Sequence, residues 1–217
     1  VRTNVCNEAP VTFAQGLTTI LQGAISVLDN YDITYVKGSI TIRRARVLTL
    51  SLQDYVGIYD AQAHGVTLQS VKEGQRNIDL NRFTWYYGTA ADTVNQTSLM
   101  FTNVVDQLVY VKGVSIDGNY PDVTGTARVT ITARPVTITP SNATFTYDGT
   151  EKTATEYTTE KATTDNAGNL TGTRGLIGTD DVTVTLTNAT HTAPGHYALG
   201  WSNPVMTTGL ATNYSFV

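Results

Sequence analysis

The chain has 217 residues and a formal net charge of -4, with a pI of about 5.2, and so lacks the basic surface that a nucleic-acid backbone demands. Only 15% of the residues are charged and threonine alone outnumbers lysine and arginine together, which leaves uncharged β-branched hydroxyls to face solvent. No apolar run reaches membrane-spanning length, so membrane insertion is not expected, and the lone cysteine, Cys6, has neither an internal disulfide partner nor a zinc-ligand companion.

Residues 1–44 carry two hydrophobic runs, Leu17 to Leu28 and Ile33 to Ile42, and in the second Ile40 and Ile42 alternate with Ser39, Thr41 and Arg43. Such alternation predicts strands with one wet and one apolar face. Helical periodicity is weak: Gly16 and Gly23 interrupt Val11 to Leu28, and Ala90 to Val105 is rich in Thr and Asn, so both are expected to be strand or loop. Further along, Val129 and Ile131, then Val182, Val184 and Leu186, alternate with polar residues. Asp117-Gly118-Asn119, Asp148-Gly149, Asn166-Ala167-Gly168-Asn169, Pro194-Gly195 and Asn203-Pro204 predict turns between short strands.

The most informative feature is a repeat. Ala45-Arg46-Val47-Leu48-Thr49-Leu50 returns as Ala133-Arg134-Pro135-Val136-Thr137-Ile138, and Tyr59-Asp60 returns as Tyr147-Asp148; both pairs of anchors are 88 residues apart. An even offset keeps inward residues inward, because strand side chains alternate. Asn-Tyr also recurs, at Asn30-Tyr31, Asn119-Tyr120 and Asn213-Tyr214. The spacing predicts the closing part of a preceding unit at 1–44, a full repeat at 45–132 and another at 133–217 that stops before its last strand. Residues 1–44 cannot bury an apolar face unaided, so they are expected to pair with another unit, within the chain or from a neighbour.

An opening of the form Val136-Thr137-Ile138 with Tyr147-Asp148-Gly149-Thr150, and a closing of the form Asn30-Tyr31 through Ser39-Ile40-Thr41-Ile42, resemble the MBG or YDG type of mostly-β repeat domain found in bacterial surface proteins. The resemblance covers the edges of the repeats and says little about their middles. It implies an extracellular, cell-surface or secreted protein with such domains in series as a stalk or adhesive region, and no catalysis. The first full repeat departs from the pattern. Ala61 stands where glycine is wanted, so its turn is expected to avoid positive φ, and Pro121 interrupts the closing strand.

Chemistry-bearing clusters are few. Phe83, Trp85 and Tyr87 share one face of a predicted strand and Tyr86 takes the other. Trp85, Tyr86 and Tyr87 are therefore candidate sugar-stacking residues, although core aromatics show the same pattern. Lys37 and Lys112 are candidates for a covalent cross-link to an Asn or Asp side chain, chemistry that needs a buried neutral amine; both precede glycine, which predicts a turn and an exposed ammonium instead. His64, His191 and His196 have no metal-binding spacing, the acidic stretches at Asp165 and Asp180-Asp181 do not match a calcium loop, and nucleophile and phosphate-cradling motifs are missing. No cofactor, metal or catalytic residue is expected.

The expected fold is all-β, with tandem small immunoglobulin-like sandwiches or, alternatively, β-grasp-like units. The expected function is a structural spacer whose partners are neighbouring repeat domains; the alternative is an adhesin module on 45–132 that holds a host glycan or surface protein.

Overall fold

The computed structural model describes residues 6–11, 21–22, 25–26, 38–42 and 47–217. Most of the 1–44 segment, including Lys37 and Asn30-Tyr31, and the Ala45-Arg46 junction lie outside the described residues. Before the junction are β1 (Cys6–Val11), β2 (Leu21–Gln22), β3 (Ile25–Ser26) and β4 (Gly38–Ile42). The first full repeat holds β5 (Thr49–Gln53), β6 (Tyr55–Ile58), β7 (Thr67–Glu73), β8 (Arg76–Ile78), β9 (Phe83–Gly88), β10 (Val105–Ser115) and β11 (Val123–Thr132). The second holds β12 (Arg134–Val136), β13 (Ile138–Pro140), β14 (Lys152–Thr153), β15 (Tyr157–Thr159), β16 (Asp181–Thr187), β17 (Thr190–His191), β18 (Gly200–Thr208) and β19 (Tyr214–Phe216).

The described chain is mostly β, has no α-helix, and is divided into several small sheets with no closed barrel. β6-β11-β10-β9 form a four-stranded sheet and β5-β7-β8 a three-stranded one; the second repeat is held by pairs, β12 with β19, β13 with β15, β14 with β17 and β16 with β18. The described strands of residues 1–44 pair with one another, β1 with β4 and β2 with β3. Residues 90–104 are irregular, tied down by bridges from Gln96 to Tyr87 and from Phe101 to His64.

Two compact units result, one from Val1–Leu50, Ser70–Trp85 and Lys112–Thr124, the other from Ser51–Gln69, Tyr86–Val111 and Gly125–Val217. The first has a core of Val71, Ile78, Phe83 and Val123, with Leu48, Leu50, Leu80, Trp85 and Tyr120 packed on it. The second buries Val109, Val111, Ala127, Val129, Ile131, Val136, Ile138, Ala154, Leu176, Val182 and Tyr214. Val129 and Ile131 are inward and Val182 is buried, as the alternation predicts.

Two turn expectations are overturned: Asn203-Pro204 lies inside β18, where Asn203 at φ 52 bends the strand at an irregularity of its ladder with β16 instead of ending it. Lys112-Gly113 lies inside β10, not at a turn. The glycine is there because a Cβ would stand 2.7 and 2.9 Å from Cζ3 and Cη2 of Trp85 and 3.0 Å from Cγ1 of Val123. It gives the indole room against the strand, and the indole Nε1 is satisfied by donating to the Leu80 carbonyl at 3.1 Å. Leu80–Arg82 form a short 3-10 turn that the pattern does not foreshadow, started by the Asp79 carboxylate accepting from the Asn81 N–H at 2.9 Å.

Adding one methyl at this glycine overpacks the core. Gly113→Ala is expected to lose about 1–3 kcal/mol in urea unfolding and to shift Trp85 fluorescence; an unchanged midpoint and spectrum would show that the ring does not depend on the glycine.

Candidate functional site

At the start of the second repeat the alternation of β12 turns Arg134 and Val136 inward, and both are buried, with Arg134 only 2% exposed. A guanidinium cannot be left there without partners, since desolvating a charge costs far more than one hydrogen bond returns. Arg134 meets backbone carbonyls alone. Its Nε donates to Gly175 O at 2.9 Å, one terminal nitrogen to Gly172 O at 2.6 Å and Arg174 O at 2.8 Å, and the other to Tyr59 O of the preceding repeat at 3.4 Å. Burial pushes the guanidinium below its ordinary pKa, opposed by the negative charges of Asp60 and Glu160.

The loop that offers these carbonyls is itself fixed. Gly175 has φ 86, and a Cβ would lie 2.5 Å from both Ala162 N and Lys161 C. Only glycine fits so close to another backbone. Its N–H donates to Pro135 O at 2.8 Å, and Leu176 and Glu160 continue the contact at 2.9 Å.

The recurrent Asn-Tyr pair completes the joint. Asn213, 1% exposed, accepts from Val104 N–H and donates through Nδ2 to Asn103 Oδ1, each at 3.0 Å, and so grips the first repeat from the second. Tyr214 sets its ring edge-on to Tyr59, centroids 5.5 Å apart and planes 84° apart. Its hydroxyl donates to Asp180 Oδ2 at 2.6 Å and accepts from Ile177 N–H at 3.2 Å. Burial, then the Asp180 carboxylate, push the phenol well above its ordinary pKa. Asp180 can approach because Gly209 lacks the Cβ that would sit 2.4 Å from the carboxyl carbon. β12 and β19 then run parallel, Arg134 beside Tyr214 and Val136 beside Phe216.

Tyr59 is carried into this joint by the repeated turn. Asp60 Oδ1 accepts from Gln62 N–H at 2.9 Å and lies 2.8 Å from His64 Nε2; at the shared offset Asp148 Oδ1 accepts from Thr150 N–H at 2.9 Å while Oδ2 takes Lys152 Nζ at 2.7 Å. Both carboxyls are held below their ordinary pKa. At Asp60, burial opposes a shift that His64 and the Gln62 N–H drive; at Asp148, Lys152 leads and Thr150 adds to it. Contrary to the expectation of a turn without positive φ, Ala61 has φ 62, the hand that Gly149 shows at φ 80. The aspartate bonds dictate the turn, and alanine takes the strain.

The residues singled out by pattern are elsewhere. Trp85 and Phe83 pack on the first core with ring centroids 5.5 Å apart, and Tyr86 and Tyr87 are half-buried. Lys112 forms a surface ion pair, Nζ to Asp122 Oδ2 at 3.0 Å, the two side chains 40% and 49% exposed. His191 stacks on Tyr197, Asp165 spends its carboxylate on Ala167 and Asn169, and Asp181 pairs with Lys161. Among the described residues no three His, Cys, Asp or Glu side chains converge on a metal position. The joint residues escaped notice singly; the signal that marks them is the recurrence of Ala-Arg, Tyr-Asp and Asn-Tyr. Comparison of the chain with family models, curated proteins and solved structures finds no match.

Removing the guanidinium leaves buried carbonyls unpaired. Arg134→Ala is expected to cost about 3 kcal/mol or more in equilibrium unfolding, and Arg134→Lys to recover little because an ammonium lacks the planar fork. Relief of the left-handed alanine works the other way: Ala61→Gly is expected to gain about 1 kcal/mol and Gly149→Ala to lose about as much, read as opposite shifts in urea midpoint.

Proposed function

We propose that the chain is a non-catalytic structural segment, a stalk or fibre spacer, of a bacterial cell-surface adhesin-like protein. Its units are read as MBG/YDG-type domains, each a small immunoglobulin-like sandwich. Support for two facing layers comes from the first core, where Val71 and Ile78 of one sheet meet Phe83 and Val123 of another. The single observation that carries the spacer reading is the joint at Arg134: successive repeats are bonded through a buried guanidinium, Asn213 and the Tyr59–Tyr214 ring pair. A spacer needs such a defined link, whereas beads on a flexible linker would share no buried polar network. Its partners are then neighbouring repeat domains, and its place is outside the cell.

The alternative, a glycan- or protein-binding module centred on 45–132, loses its main residue, because the Trp85 ring is engaged by Gly113 and the first core. Antibodies raised against the chain are expected to label intact source cells, and glycan and host-matrix arrays probed with the chain to stay blank. Absence of surface label would refute the proposal, and array binding abolished by Tyr86→Ala or Tyr87→Ala would establish the adhesin reading instead.

A further inference from the structure

Aspartate followed by glycine is chemically fragile. The glycine N attacks the aspartate Cγ, one water leaves, and the succinimide so formed takes a water back at either carbonyl; opening on one side reroutes the main chain through the side chain as isoaspartate. The first step needs a protonated carboxyl, whose hydroxyl departs as water, and a Cγ free to swing over the glycine N. The sequence contains two such pairs, Asp117-Gly118 and Asp148-Gly149. Around the second nothing blocks the ring closure: the Asp148 side chain is 53% exposed, a Cβ on Gly149 would meet nothing within 4 Å, and the Gly149 N–H has no hydrogen-bond partner among the described residues. What stands in the way is the clasp on the carboxylate. Thr150 donates to Oδ1 through its N–H at 2.9 Å and its hydroxyl at 2.6 Å, which aims that oxygen at Thr150 and away from the Gly149 N. Lys152 Nζ donates to Oδ2 at 2.7 Å and to the Thr150 hydroxyl at 2.9 Å, so one ammonium keeps the carboxyl ionised and braces its other partner.

We propose that Asp148-Gly149 is a latent modification site, converted to isoaspartate when its carboxylate is released, and that Lys152 and Thr150 are the residues that keep it unmodified. The two other turns of this kind are shielded differently. In the first repeat Ala61 follows Asp60, and its methyl group screens the attacking N. Asp117 is held by Ser115, by the N–H and side chain of Asn119 and, from 35 residues away, by Arg82. Conversion at Asp148 adds one methylene to the main chain of the turn and moves the carboxylate away from Thr150. It thereby loosens β14, which starts at Lys152 and pairs there with His191 of β17. The inference stands whether or not the protein is displayed on a cell.

The test incubates the whole chain at about pH 5, where an ordinary aspartate is still partly protonated, and follows isoaspartate at both sites by peptide mapping with fragmentation that separates the isomers. The urea-unfolded chain sets the upper limit. In the folded chain both sites are expected to isomerise far more slowly than that limit. Lys152→Met is expected to speed Asp148 at least about tenfold, because the reactive protonated fraction rises as the carboxyl returns to its ordinary range, and to leave Asp117 unchanged. Lys152→Arg, which keeps the cation, is expected to restore most of the protection. A folded-chain rate at Asp148 equal to the urea limit, or an unchanged rate in Lys152→Met, would each overturn the proposal. Acceleration at Asp117 as well would mean that Lys152→Met had loosened the whole chain. Thr150→Ala then decides: acceleration confined to Asp148 supports the clasp, and none overturns it.

Discussion

A guanidinium buried without a carboxylate has to be surrounded by dipoles, and most of what is distinctive in the second repeat serves that need at Arg134. The Gly172–Leu176 segment turns its carbonyls toward the charge, which requires a left-handed residue pressed against the Lys161–Ala162 backbone, hence Gly175. The fourth acceptor belongs to the preceding repeat, so the charge is not satisfied until Tyr59 is delivered. That delivery depends on the Asp60 turn, which explains why the left-handed turn persists even where alanine replaces glycine. A buried polar network of this kind adds specificity more than raw stability: apolar residues of similar volume would hold two surfaces together, yet would not define one arrangement.

The alternation of Val129 and Ile131, and of Val182 with its neighbours, was legible because a half-buried strand imposes period two on any sequence. The 88-residue offset was legible for a different reason. It recurs in structure as two aspartate turns with a donor four residues on, His64 in one and Lys152 in the other, two residues that share little beyond the capacity to meet a carboxylate. Arg134 itself was not legible, since an arginine in a polar-looking opening resembles any solvent-facing charge until four distant carbonyls converge on it. Nor was the role of Gly113: a glycine after lysine signals a turn locally, and only the Trp85 ring lying across the strand gives it another purpose. Ala61 shows the same limit, because side-chain hydrogen bonds two and four residues away overrode the local conformational preference.

The aromatic cluster teaches a related lesson. Phe83, Trp85 and Tyr87 do share a strand face by count, but the strand passes from the well-packed first core to a half-buried stretch, so one face has two environments. Periodicity reports which side chains are neighbours; it does not report what lies opposite them. The opposite holds for Asn213-Tyr214, whose importance came from recurrence with no periodicity at all, and whose partners, Asn103 and Asp180, are remote in sequence.

The pairing of β6 with β11 and of β12 with β19 is parallel, and each pair joins an early strand of a repeat to a late one. When a chain is drawn out by its ends, two such strands are pulled in opposite directions along their own axes. Every bond of the ladder then bears the load together in shear, where antiparallel hairpin partners would peel apart one bond at a time. Forced unfolding is governed by the height of that barrier and not by equilibrium stability. Tension applied along the chain would therefore meet these two ladders in shear.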